Sequence, residues 1–198
     1  RRDDGYHLLQ SAMQLIDLCD ELRFYQRPPG VVERVGDNAG IPADSDLIVR
    51  AARLLATRYE VFGGVGIEIQ KRIPVQGGLG GGSSDAATVL VALNHLWRLD
   101  LKLEELATLG LELGADVPIF VRGHSAWAEG VGERLTPVDF PEQVYLMVKP
   151  QTGVSTAAVF QDPELTRNSP LMTIRDLLAG GGRNDCASVV RKRSGEIA

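Results

Sequence analysis

Two stretches of this sequence carry residue types able to do chemistry. The first is the segment over residues 74–84, Pro74-Val75-Gln76-Gly77-Gly78-Leu79-Gly80-Gly81-Gly82-Ser83-Ser84. Five of the six positions from 77 to 82 are glycine, which lets the backbone take positive φ and approach a ligand closely. A helical pattern follows from Asp85, with Ala86, Leu90, Leu93 and Trp97 on one face. Free N–H groups at the start of that helix, at the positive end of its dipole, form an anion site. Ser83 and Ser84 add hydroxyls that can cap the helix or contact a phosphate or Mg2+. The second is Asp116, just past a helix stop at Gly114 and two residues before Pro118. A carboxylate held on such a turn can accept a hydroxyl proton, or it can simply cap the next element.

The glycine segment matches neither of two common phosphate motifs. A Walker A loop needs Gly-Lys-Ser/Thr at its end, and no lysine stands between Gly77 and Ala87. The dinucleotide fingerprint, started from Gly78-x-Gly80, needs a third glycine where Ser83 stands. A mere strand-to-helix connector has little reason to hold five glycines, since each costs about 0.5–1 kcal/mol of ordering entropy.

Positioning these groups requires strands and helices on both sides. Leu22, Phe24 and residues 31–35 read as strands, separated by a Pro28-Pro29-Gly30 turn. Residues 45–59 repeat Leu47, Ala51, Leu54 and Leu55 at helical spacing, with Ser45 as N-cap. Val65, Ile67 and Ile69 alternate with Gly66, Glu68 and Gln70 as a half-buried strand that Pro74 ends. The glycine segment then reads as a loop over residues 76–84. A helix near 103–113 puts Leu103, Leu106 and Leu113 on one side, and Gly114 stops it. Residues 145–148 read as a short apolar strand. Beyond Thr152 the chain is more polar and more helical, with a flexible break at Gly180-Gly181-Gly182. The expected class is α+β, with a second, incomplete domain beginning near residue 145.

The bulk numbers agree with a globular chain. There are 198 residues, 44% hydrophobic and 24% charged, with a net charge of −5 and a pI near 5.3. That balance argues against nucleic acid as a partner but leaves room for an anion held by backbone dipoles. Cys19 and Cys186 stand far apart and form neither a metal-ligand cluster nor a disulfide framework. Two reduced thiols suit a cytoplasmic protein. No apolar run spans a membrane, and Arg1-Arg2-Asp3-Asp4 is not followed by a signal-peptide core.

The glycine segment, continued by Asp85-Ala86-Ala87, resembles the phosphate-binding motif of the GHMP kinases. Further stretches narrow the likeness to the 4-diphosphocytidyl-2-C-methyl-D-erythritol kinase family. They are Asp4-Gly5-Tyr6-His7-x-Leu9-Gln10, Asp46-Leu47-Ile48-Val49-Arg50-Ala51-Ala52, Gly114-Ala115-Asp116-Val117-Pro118-x-Phe120, Ala128-Glu129-Gly130-Val131-Gly132-Glu133 and Phe160-x-Asp162-Pro163-Glu164-Leu165. The resemblance implies a two-domain fold, with a ribosomal protein S5-like N-terminal domain over residues 1–143 and a ferredoxin-like C-terminal domain starting at 144. It implies transfer of the γ-phosphoryl of ATP, with Mg2+, onto the 2-hydroxyl of 4-diphosphocytidyl-2-C-methyl-D-erythritol, a step of non-mevalonate isoprenoid synthesis. Asp116 takes the place of the family's catalytic aspartate, and residues 74–84 that of its ATP loop. Tyr6 and His7 match the cytosine-binding pair, Lys71 a substrate-contacting lysine, and Thr156 and Phe160 the far wall of the cytidine pocket. Ser84 is a candidate contact to Mg-ATP. The oligomeric state is left open.

Departures from the family pattern set further expectations. Its N-terminal Pro-x-Lys-x-Asn strand, whose lysine works with the catalytic aspartate, is not in the sequence, nor is its C-terminal Gly-Thr-Gly-rich loop. The chain reads as truncated at both ends and is expected to have little kinase activity by itself. Met13 stands where relatives often carry an aromatic near the cytidine pocket, and Ala187 where an acidic residue is common. Two alternatives stay open at this level: a GHMP kinase for homoserine or a mevalonate derivative, and a non-catalytic nucleotide-binding module.

Overall fold

A computed structural model describes residues 9–36, 41–75, 77–130, 132–150 and 153–197. Among these described residues thirteen elements follow in chain order. They are β1 (Leu9–Met13), β2 (Glu21–Arg27), β3 (Val32–Val35), α1 (Leu47–Arg58), β4 (Gly64–Gln70), α2 (Gly81–Leu96) and α3 (Leu103–Leu113). Then come α4 (Val117–Arg122), β5 (Ala126–Gly130), β6 (Arg134–Pro137), α5 (Thr156–Gln161), α6 (Ile174–Leu178) and α7 (Ala187–Arg193). The mixture of helix and mostly antiparallel sheet is the expected α+β class.

The strands form two three-stranded sheets, ordered β1-β5-β6 and β2-β4-β3. In the second, β4 lies between the two strands that the Pro28-Pro29-Gly30 turn separates, antiparallel to β2 and parallel to β3. The alternation read in β4 decides which side faces in. Val65 and Ile67 are buried, Leu22 pairs with Ile69 and Phe24 with Ile67, and all of them pack on the helices. On the other face, Tyr25 donates its hydroxyl to Glu68 at 2.5 Å.

The core lies between this sheet and helices α1 to α4. Leu55, Leu90, Leu93, Leu106 and Val117 are at or below 1% exposure. Local signals set the helix ends. Asp46, not Ser45, caps α1, accepting from the Ile48 amide at 3.0 Å. Its other oxygen takes the Arg34 guanidinium at 2.9 Å, a partner that Ser45 could not hold as a charge pair. In α3, Glu105 reaches back to the Lys102 amide at 2.9 Å, and the Gly114 amide closes on Gly110 at 3.1 Å. Leu103, at the first position of that helix, is 51% exposed rather than on the apolar side.

The remainder differs more from expectation. Residues 138–150 contain no helix or strand, so the strand expected at 145–148 is not formed. Val144, Leu146 and Val148 are strongly exposed. An extended apolar segment becomes a strand only when a neighbour takes its backbone hydrogen bonds, and none does so among the described residues. Beyond it, Val159, Leu165 and Val189 form a small cluster of their own. Gln10 on β1 ties the C-terminal segment back. Its amide donates to the Met172 carbonyl at 3.1 Å and accepts from the Met172 amide at 2.9 Å.

Candidate active site

The glycine segment links β4 to α2, and the helix begins earlier than its glycines suggested. Gly81, Gly82, Ser83 and Ser84 already form its first turn. Gly80 is the N-cap in the left-handed region, with φ 67°. A Cβ there would also sit 2.7 Å from the Phe120 ring on α4, so the position needs glycine twice over. At Gly81 a Cβ would stand 2.9 Å from the Ile73 side chain. The first intrahelical bond runs from the Ser84 amide to the Gly80 carbonyl at 2.8 Å. The amides of Gly81, Gly82 and Ser83 therefore have no acceptor within the helix. No side-chain oxygen caps this end; Ser83 and Ser84 do not serve as caps. Donors left free at the positive end of a helix suit an anion.

Asp116 comes from the turn between α3 and α4. The Val117 amide bonds the Gly114 carbonyl at 3.1 Å, and Val117, Pro118 and Ile119 are buried. Proline is tolerated in a first helical turn because its missing N–H would have had no partner there. Asp116 occupies the N-cap position of α4 but makes no capping hydrogen bond, and the residue is exposed. Its carboxylate is thus not spent on holding the helix.

The two features meet. One cavity of about 550 Å3 is lined by Gly78, Leu79, Gly80 and Ser84 and also by Asp116. Ile73, Ile119 and Phe120 also line it, as do residues 12–16 with Leu18 and Cys19, and residues 145–147; of these only Met13 was expected near a substrate pocket. Met13 is among them, so a flexible thioether stands in the wall. Nothing local in these stretches marks them as cavity lining.

The remaining expected site residues are scattered. Pro74 is half-buried, with its carbonyl taking the Gly77 amide at 3.2 Å, and Val75 is exposed. Thr156 and Phe160 share α5, as their spacing implied, but neither lines this cavity. Tyr6, His7 and Gln76 lie outside the described residues.

Lys71 is neither a free strand-end charge nor a cavity-lining residue. Its ammonium bonds Asp20 at 2.5 Å and Asp85 at 2.9 Å. Burial pushes the Asp85 carboxyl up to about 6, and Lys71 opposes that only in part. Burial acts the same way on Asp20, but Lys71 and the amides of Arg72 and Ile73 outweigh it and hold that carboxyl below its ordinary value. Burial also works against the charge on Lys71, and the two aspartates outweigh it and raise the ammonium above its usual range. Neither Asp20 nor Asp85 carries a motif that announces this partnership. Among the described residues no cluster of three or more acidic, histidine or cysteine side chains is arranged to hold a metal ion. No helix of the described chain is long and apolar enough to cross a membrane.

Comparison with known proteins identifies the family. Residues 46–124, from the cap of α1 through the glycine segment and Asp116, match the GHMP kinases N terminal domain. The 4-diphosphocytidyl-2-C-methyl-D-erythritol kinase of Pseudomonas aeruginosa (strain LESB58) is 56% identical over 197 residues, covering 100% of this chain and 70% of that protein. The kinase of the same name from Nitrosococcus oceani is 56% identical over 191 residues, covering 96% of this chain and 68% of that protein. A crystal structure of 4-(cytidine 5'-diphospho)-2C-methyl-D-erythritol kinase superposes with a TM-score of 0.79 at 34% identity, over 99% of this chain and 73% of that one. Homoserine kinase from Cytophaga hutchinsonii shares the fold alone, with a TM-score of 0.56 at 18% identity over 81% of this chain and 54% of that one. With more than half its residues identical to the Pseudomonas and Nitrosococcus kinases along essentially its whole length, this chain belongs to the 4-diphosphocytidyl-2-C-methyl-D-erythritol kinase family of GHMP kinases.

Proposed function

We propose that this chain supplies the phosphate loop and the catalytic carboxylate for ATP-dependent phosphorylation of the 2-hydroxyl of 4-diphosphocytidyl-2-C-methyl-D-erythritol. The observation that carries the reading is the shared cavity: Gly78, Leu79 and Gly80 ahead of an uncapped helix, Ser84 within its first turn, and an unspent carboxylate line one space. Membership of the kinase family supports it.

In this reading Gly81, Gly82 and Ser83 offer backbone N–H groups to the phosphates of ATP, and Ser84 offers its hydroxyl. The residues of 74–80 shape the approach. Asp116 accepts the proton of the acceptor hydroxyl as its oxygen bonds to the γ-phosphorus, while the bond from that phosphorus to the β,γ-bridging oxygen breaks and ADP leaves. Catalysis of this kind is chiefly positioning and charge stabilisation. Mg2+ would enter with ATP, held mostly by phosphate oxygens and water, which fits a cavity whose polar lining includes Ser84 and Asp116 but no carboxylate cluster. Bound there, the ion neutralises phosphate charge.

Tyr6 and His7 are assigned to the cytosine, with an aromatic face for stacking and an imidazole for the base edge. Lys71 is assigned a substrate contact, and Thr156 and Phe160 the far wall of the cytidine pocket. The division into an N-terminal domain over 1–143 and a second domain from 144 belongs to the same proposal, as does a cytoplasmic location without a membrane or nucleic-acid partner. Incubation of the gene product containing this sequence with ATP and the cytidyl substrate, followed by 31P NMR, tests it. A new phosphomonoester on the 2-oxygen is expected. Phosphorylation of homoserine or mevalonate in preference would overturn the substrate assignment.

A further inference from the structure

The glycine loop has a base as well as a tip. Lys71 stands on its N-terminal side and Asp85 on its C-terminal side, 14 residues apart, and the side chains meet at 2.9 Å. Asp20 joins them from the segment ahead of β2. One of its oxygens takes the Lys71 ammonium at 2.5 Å. The other takes the backbone amides of Arg72 and Ile73 at 2.5 and 2.8 Å. The Asp20 and Asp85 side chains are 1% and 5% exposed, against 28% for Lys71. The ammonium also lies 3.4 Å from the place a Cβ on Gly81 would take, which sets it against the first turn of α2.

This arrangement is a poor one for stability alone. Two buried carboxylates share one ammonium, so one negative charge is left undercompensated, and buried charges of that kind rarely stabilise more than apolar side chains of the same size. It is a good arrangement for holding a loop. Five glycines give the segment conformational freedom that a ligand would have to remove on binding. A tie across the base fixes both ends and shortens the free stretch. Asp20 anchors the N-terminal end at two backbone amides, so the tie holds main chain and not only side chains.

We infer that Asp85 and Asp20 are positioning residues that hold Lys71 across the base of the glycine loop and so preorganise the loop for an anionic ligand. They touch no ligand themselves and act through Lys71 and the chain at 72–73. The identity of the ligand rests on the proposed function; the tie is a property of the free chain.

Hydrogen exchange on the ligand-free chain tests it, with Asp85→Ala, Lys71→Met and the double variant beside the unaltered protein. Amides over 77–84 should exchange roughly tenfold faster in either single variant, and no faster again in the double, because both changes cut the same tie. Amides of α3 and α7 should be unaffected. Affinity for MgATP should fall about tenfold in Asp85→Ala, the cost of ordering the loop on binding. Unchanged exchange over 77–84 would overturn the inference, and so would acceleration spread evenly through α2 and α3 or additive effects in the double variant. If the unaltered chain binds no MgATP, the proposed function fails, while the exchange rates still decide whether the tie exists.

Discussion

Arg34 and Asp46 join β3 to α1 by a nearly buried ion pair: guanidinium to carboxylate at 2.9 Å, with the side chains 10% and 5% exposed. The same carboxylate caps the helix through its other oxygen. The Arg34 Nε has no partner among the described residues. Asp46→Ala removes the cap and leaves a buried, uncompensated guanidinium, and should lower stability by about 3–5 kcal/mol. Arg34→Met keeps the cap and should cost less. Urea midpoints measure the order, and equal losses would contradict the double role of Asp46.

Asp85 gives stability a pH signature. Its carboxyl titrates near 6 in the folded chain against an ordinary value of 3.8, so the folded state holds the proton more tightly between those values. The contribution of this group therefore falls as pH rises through that window and is level above it. Asp20 runs the other way, its contribution present above its ordinary value and lost as pH falls through the lower folded one. Asp85→Asn isolates the first effect. The unfolding free energy of the unaltered chain minus that of the variant should decline from pH 4 to pH 6 and then flatten. A constant difference would contradict the assignment.

Gly80→Ala meets two obstacles, a left-handed φ of 67° and a ring atom of Phe120 at 2.7 Å. The first costs about 1 kcal/mol and the second about 1–3 kcal/mol of overpacking. Phe120→Leu in the same chain should recover part of the second cost and none of the first. Calorimetric melting of the single and double variants checks this. Full recovery would mean that the backbone conformation is not constrained.

Gln10 holds Met172 by two hydrogen bonds and Glu129 by a third, at 3.0 Å. Gln10→Ala should weaken the docking of the C-terminal segment by about 2 kcal/mol, taking roughly 1 kcal/mol for each bond lost to Met172. Limited proteolysis between residues 153 and 197 should quicken severalfold while cleavage within α1–α4 stays slow. No change in that pattern would show that the bridge is not what secures the segment.

What was legible in the sequence was whatever local chemistry decides. The alternation in β4 named its buried face, and the leucine spacing with Gly114 gave α3 its bounds. The meeting of the glycine loop with Asp116 was foreseen only through the family resemblance, because the turn that presents Asp116 is fixed by packing of α4. Where distant partners decide, local reading failed. Ser45 and Asp46 are equally good caps by type, and Arg34 settles the choice from another element. The glycines at 81 and 82 read as loop, yet their lack of side chains is what lets α2 start against Ile73. Asp20 and Lys71 are 51 residues apart, and the apolar run at 145–148 lacks the neighbour a strand requires.

In the proposed reaction Asp116 works on the acceptor hydroxyl while the glycine loop holds ATP. Asp116→Asn changes a carboxylate that makes no capping hydrogen bond among the described residues. In the gene product containing this sequence, turnover of the cytidyl substrate should fall by about 10^2–10^4, the range for loss of a positioned base, while the affinity for ATP stays within about twofold, well under 1.4 kcal/mol. Unchanged turnover would contradict the account, and so would a loss of ATP binding equal to the loss of turnover.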